Sequence, residues 1–89
     1  MARAILFTPS AWADYTYWQS QDKKTLKRIN SLIEAVAREP FTGIGKPEAL
    51  RGDLTGFYSR RIDDVHRLVY KADDNALQIV ACGYHYKDN

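Results

Sequence analysis

Cysteine occurs once in the 89 residues, at Cys82, so neither an internal disulfide nor a paired-cysteine metal motif can form. A long hydrophobic run is also missing. The most apolar stretch, residues 76–86, has about half of the roughly 20 residues that a membrane-spanning helix needs. Residues 1–7 are too few for a secretory leader, and Trp12 and Asp14 fall where its apolar core would lie. A cytoplasmic chain with no membrane attachment is expected. Nor does charge of one sign dominate: 13 Lys and Arg stand against 11 Asp and Glu, a net charge of +2. No global field drives such a chain onto nucleic acid, so any nucleic-acid site must be a local basic patch. Repeats, low-complexity tracts and linkers are absent, and 89 residues cannot build two cores. Residues 1–89 are expected to form a single domain.

What is present is a helical first half and a strand-rich second half. Ala4, Ile5, Leu6 and Phe7 make a short apolar run suited to an opening strand. Thr8-Pro9-Ser10 reads as a helix start, with a hydroxyl cap beside a proline that the first turn tolerates. Trp12, Tyr15 and Trp18 then follow at helical spacing, predicting a helix over residues 9–20. Asp22 is the expected cap of a second helix, whose apolar stripe is Leu26, Ile29, Ile33 and Val36. Lys23, Lys24, Lys27 and Arg28 fall off that stripe, toward solvent. Pro40 ends the helix, and residues 41–47, with Gly43 and Gly45, read as loop. From Glu48 onward the pattern is that of strands. Residues 57–62, 65–71 and 77–86 are aromatic and β-branched, with turns at Asp63-Asp64 and at residues 72–75. An antiparallel meander covered on one face by two N-terminal helices is an α+β fold. Two sets compete for the buried face: Leu68, Tyr70, Val80 and Cys82 against Val65, Val69, Leu77 and Ile79.

Singly, the polar residues of the second half have ordinary explanations. Glu48 beside a loop is solvated surface, and His85 between two tyrosines is a strand-end histidine. Arg60 and Arg61 are strand neighbours, so they point to opposite faces. Only one of them can share a surface with Arg67, and the hairpin register decides which. Solvation or pairing with Asp63, Asp64, Asp73 or Asp74 would account for all three arginines. Together the residues suggest more. Cleaving RNA without a metal takes a base for the 2′-OH proton, a cation for the phosphorane and an acid for the departing 5′ oxygen. Glu48, the arginines and His85 supply those three groups. No Asp/Glu/His cluster points to a metal, and no glycine-rich loop points to a nucleotide cofactor.

The order of segments carries a resemblance. Trp12-Ala13-Asp14-Tyr15 with Tyr17-Trp18 resembles the W-x-D-Y-x-Y-W opening of the YoeB/Txe toxins in the RelE superfamily. Lys27-Arg28-Ile29-Asn30, then Leu32-Ile33, is similar to their second helix, and the run from Pro40-Phe41 through Gly43, Gly45-Lys46-Pro47-Glu48 and Leu50 to their loop. Leu54, Gly56-Phe57-Tyr58-Ser59-Arg60-Arg61-Ile62, His66-Arg67-Leu68-Val69-Tyr70 and Ala81-Cys82 with Tyr84-His85-Tyr86 complete it, from about residue 5 to residue 86. The resemblance implies the RelE-like, microbial-ribonuclease-like fold and mRNA cleavage in the ribosomal A site. It also implies a YefM/Phd-like antitoxin. It places Glu48 as general base, Arg67 as the phosphate-stabilising cation and His85 as general acid. Lys46, Arg51, Arg61 and Tyr86 become RNA contacts, with Arg51 where members often carry lysine. A second copy of the chain is a further candidate partner. Three positions depart from the family pattern. Tyr58 replaces tryptophan, Gly83 replaces a common arginine, and Lys87-Asp88-Asn89 extends past the usual terminal tyrosine. The rival reading is a non-enzymatic gyrase inhibitor of the ParE kind on the same fold, which would not need Glu48, Arg67 and His85 jointly.

Overall fold

The computed structural model describes residues 2–83. The chain runs β1 (Ala4–Phe7), α1 (Pro9–Gln21), α2 (Lys23–Arg38), β2 (Glu48–Ala49), a 3-10 turn (Gly52–Leu54), β3 (Tyr58–Arg61), β4 (Arg67–Ala72) and β5 (Ala76–Cys82). The five strands form one sheet in the order β1-β5-β4-β3-β2. It is antiparallel except for β1, which returns beside β5 in parallel, with Ala4 opposite Ala76 and Phe7 opposite Ile79. The two helices carry the chain from β1 at one edge of the sheet to β2 at the other.

Both helix starts follow from their capping residues. The Thr8 hydroxyl accepts the Ala11 N–H at 3.2 Å with Pro9 in the first turn, and Asp22 accepts the N–H groups of Lys24 and Thr25. Ile29, Leu32, Ile33, Val36 and Ala37 of α2 are buried against the sheet. From α1 only Ala11 and Trp18 are buried, whereas Trp12 stays 52% exposed beside Phe7 and Tyr15. Arg28, expected in open solvent, is half-buried and donates to the Arg61 carbonyl at 3.1 Å.

The uncertainty over the buried face has a physical cause. The pairing of β4 with β5 slips between Val69 and Tyr70: Val69 faces Ala81 while Tyr70 faces Ile79, so Val80 is the extra residue of a bulge. A bulge inverts the alternation along one strand. Leu77 and Ile79 before it and Cys82 after it therefore all join Leu68 and Tyr70 in the core. The other face carries Arg67, Val69 and Lys71 of β4, with Ser59 and Arg61 of β3 opposite the first two. The helices do not pack on that second face, where Val69 and Ser59 are buried but Glu48 and Arg61 are exposed, and the candidate site lies there.

Candidate active site

Hairpin register resolves the question of the two arginines. Arg61 stands directly opposite Arg67, and Arg60 directly opposite Leu68. Residues opposite one another in an antiparallel pair share a face, with Cβ atoms about 4.5–5.5 Å apart. Arg61 and Arg67 are therefore neighbours on the face away from the helices. Glu48 joins them from β2, since it is paired with Ser59, which in turn is paired with Val69. Glu48 lies two strands across from Val69 and two residues along from Arg67, about 12 Å between backbones at ordinary strand spacing and rise. Extended side chains can close that gap on one phosphodiester.

Electrostatics favour an anion here. Like charges directly opposite one another destabilise a strand pair, yet neither Arg61 nor Arg67 has a carboxylate partner among the described residues. Among the described residues the one ion pair is His66 with Asp63, at 3.0 Å. The expected alternative, pairing of the arginines with nearby aspartates, is not what occurs. The Arg67 guanidinium instead donates to the carbonyls of Asp63 at 2.9 Å and His66 at 3.1 Å, which holds it at the turn between β3 and β4. Lys46 and Arg51 are exposed on the chain entering and leaving β2, and Lys46 sits at φ 52°. His85 and Tyr86 lie outside the described residues.

The end of β5, at Cys82, is clamped by α1. Beyond Ile79, β5 has outrun β1, which leaves an uncovered edge. Two α1 side chains satisfy that edge: Asp14 accepts the Cys82 N–H at 3.1 Å, and the Trp18 indole donates to the Cys82 carbonyl at 2.7 Å. The Cys82 thiol is wholly buried beneath them. Burial first, and the Asp14 charge second, push its pKa up to about 12, so it is not a nucleophile. A cavity of about 410 Å³ lies beside this clamp, lined by Ala13, Asp14, Tyr17, Trp18, His66 and Gly83. A side chain at Gly83 would begin 3.4 Å from the Asp14 carboxyl carbon, an ordinary contact.

Two residues have surroundings that the sequence does not announce. His66 is held through Nδ1 by Asp63 and packs edge-on against Trp18, with ring centroids 4.9 Å apart. The signal was an aspartate three residues upstream, whose carboxylate also accepts the backbone N–H groups of Val65 and His66. Partial burial raises the Asp63 pKa, but the hydrogen bonds from His66 and Val65 outweigh it and hold the carboxyl below its usual range. Arg60 is the second: it is fully buried, with no charged partner.

Comparison with known proteins agrees with this architecture. The family model described as the YoeB-like toxin of bacterial type II toxin–antitoxin systems matches residues 7–86. Toxin YoeB of Streptomyces coelicolor is 58% identical over 82 residues, covering 92% of this chain and 98% of that protein. Two solved Staphylococcus aureus structures are similar. A YoeB dimer aligns with a TM-score of 0.89 at 50% identity, covering 97% of this chain and all of that one. A heterotetrameric YoeB–YefM toxin–antitoxin complex aligns with a TM-score of 0.87 at 50% identity over the same shares. On sequence and fold alike, the chain belongs to the YoeB-like toxins of type II toxin–antitoxin systems.

Proposed function

We propose that this toxin is a ribosome-dependent endoribonuclease, which cuts mRNA in the A site without a metal and so halts translation in the cytoplasm. The observation that carries this reading is the pair of directly opposed arginines, Arg61 and Arg67, on the sheet face away from the helices, with Glu48 on the same face. Glu48 takes the proton from a 2′-OH, and the 2′ oxygen attacks the adjacent phosphorus. The bond to the 5′ oxygen breaks as His85 protonates it, leaving a 2′,3′-cyclic phosphate and a 5′-OH. Arg67 binds the non-bridging oxygens as charge builds on them, and a guanidinium can grip two at once. Arg61, Lys46, Arg51 and Tyr86 hold the flanking RNA. A YefM-like antitoxin neutralises the toxin, as the composition of the staphylococcal complex suggests, and a second toxin copy is a further partner.

The test is primer extension on mRNA from cells expressing the wild type, Glu48→Ala or His85→Ala. Cuts within translated frames are expected for the wild type alone. Each variant should lose about 10²–10⁴-fold, the usual contribution of a positioned acid or base. Intact mRNA beside broken chromosomes in wild-type cells would instead indicate gyrase poisoning.

A further inference from the structure

Arg60 is the largest fully buried side chain among the described residues, and its charge meets no carboxylate. A buried guanidinium is costly unless it is well hydrogen-bonded, and here four bonds engage all three nitrogens. Nε donates to the Tyr70 hydroxyl at 3.1 Å, and Nη1 to the Ile44 carbonyl at 3.1 Å. Nη2 donates to the carbonyls of Glu39 and Thr42, both at 2.7 Å. Tyr70 in turn donates to the Pro40 carbonyl at 2.5 Å. Burial, more than Arg60 offsets it, raises the Tyr70 pKa, so the phenol keeps the proton it donates.

All four carbonyls belong to one segment, the loop from the end of α2 to β2. That loop is wound tightly on the guanidinium. A Cβ at Gly43 would stand 3.1 Å from Arg60 Nη1, and one at Gly45 would stand 3.2 Å from Arg60 Cβ. The Gly45 carbonyl then accepts the Arg61 N–H at 2.7 Å, the last tie before Lys46, Pro47 and Glu48. An irregular loop has no ladder of its own to hold it, so its shape depends on such ties.

We propose that Arg60, with Tyr70, is a positioning residue for the cleavage reaction: its buried guanidinium moulds the loop of residues 39–45 and so sets where Glu48 enters the site. The adjacent arginines divide the work by strand alternation, Arg61 facing RNA and Arg60 holding the base in register from beneath. The inference rests on the role given to Glu48 above. Displacing a catalytic group by about 1 Å can cost on the order of 10²-fold in rate. A looser loop should therefore lower the rate of the chemical step without weakening docking.

The experiment measures single-turnover cleavage on mRNA-programmed ribosomes, over a range of toxin concentrations, for wild type, Tyr70→Phe, Arg60→Lys and Glu48→Ala. Amide hydrogen exchange is followed on the same proteins. Tyr70→Phe removes one hydroxyl and two ties, and so remains informative even where Arg60→Lys does not fold. The expected result is a saturated rate about 10- to 100-fold lower. The half-saturating concentration should stay within about twofold of wild type, with faster exchange confined to residues 39–48. A purely structural role predicts the reverse, fewer active molecules and hence a raised half-saturating concentration at an unchanged saturated rate, and would overturn the proposal. A wild-type saturated rate despite a loosened loop would overturn it equally. Full activity of Glu48→Ala would overturn the assignment of the base, and this inference with it.

Discussion

At the scale of single residues, the division between Arg60, Arg61 and Arg67 shows how little charge alone reveals about role. Three arginines lie within eight positions, yet one is sealed in the core and two oppose each other on an open face. Arg67 is the one expected to act in the transition state, because the phosphorane carries more negative charge than the phosphodiester it comes from. Arg67→Ala should lower the saturated cleavage rate by about 10²–10³-fold, comparable with removing one preorganised electrostatic donor. Arg67→Lys keeps the charge but loses the fork, and should lose less. Rates and binding constants measured on the same programmed ribosomes decide the matter. Weakened binding at an intact saturated rate would make Arg67 a docking residue and pass its role to Arg61. Glu48 and Arg67 became candidates through the resemblance, since singly each reads as a solvated or salt-bridged side chain. Their common face was not legible, since it depends on two hairpin registers. The burial of Arg60 was hidden altogether: apart from the Tyr70 hydroxyl its partners are backbone carbonyls, which leave no mark in a sequence.

Elements were easier to read where a local rule decides them. Thr8-Pro9 and Asp22 start their helices because each cap satisfies nearby N–H groups, and the α2 stripe is buried because its spacing matches the helical repeat. The reading gave way where distant chain segments decide. The parallel seat of β1 beside β5 joins residues about seventy positions apart, and the Val80 bulge inverts the alternation partway along β5. Two predictions belong at this scale. Gly45 adopts φ +86°, and a Cβ there would stand 2.9 Å from Leu32 Cδ2. Gly45→Ala should therefore cost about 1–3 kcal/mol in urea unfolding; an unchanged midpoint would show that the loop shifts freely. The second concerns acid. Asp22 is held below its usual range chiefly by the Thr25 hydroxyl and N–H, and Asp73 by the N–H groups of Asn75 and Ala76. Asp63 is also lowered, since its His66 hydrogen bonds outweigh its partial burial. A carboxylate whose folded pKa is depressed stabilises the fold fully above its unfolded value of about 3.9. That contribution disappears as pH falls through the folded pKa. Urea midpoints should thus be level with respect to these groups above about pH 5 and fall below about pH 4. Asp22→Asn keeps an acceptor for the cap and should flatten part of that acid limb. An identical limb in the variant would remove Asp22 from the account.

Taken whole, the molecule is a sheet with its two faces assigned to different tasks. One face, with Leu68, Tyr70, Leu77, Ile79 and Cys82, is spent on the core under the helices. The other presents Glu48, Arg61 and Arg67. Within the described residues no helix is long and apolar enough to cross a membrane, and the charge balance of +2 is too small to gather RNA at a distance. The basic groups of the site are a handful, and each phosphate contact is screened at physiological salt, where the Debye length is about 8 Å. The toxin should therefore dock poorly on free RNA and depend on the ribosome to present a phosphodiester in line with the base and acid, an orientation that can contribute several orders of magnitude in rate. We expect the same mRNA at the same concentration to be cut at least about 10²-fold more slowly free than on programmed ribosomes. The rate on free RNA should rise linearly with toxin, without saturation, and fall further as salt is raised. Adding Glu48→Ala to both arms separates the two contributions. If the ribosome supplies position and the toxin supplies chemistry, the variant loses a similar factor on both substrates. Saturable cleavage of free RNA at the ribosomal rate would mean that this small face positions its substrate unaided, and ribosome dependence would have to be given up.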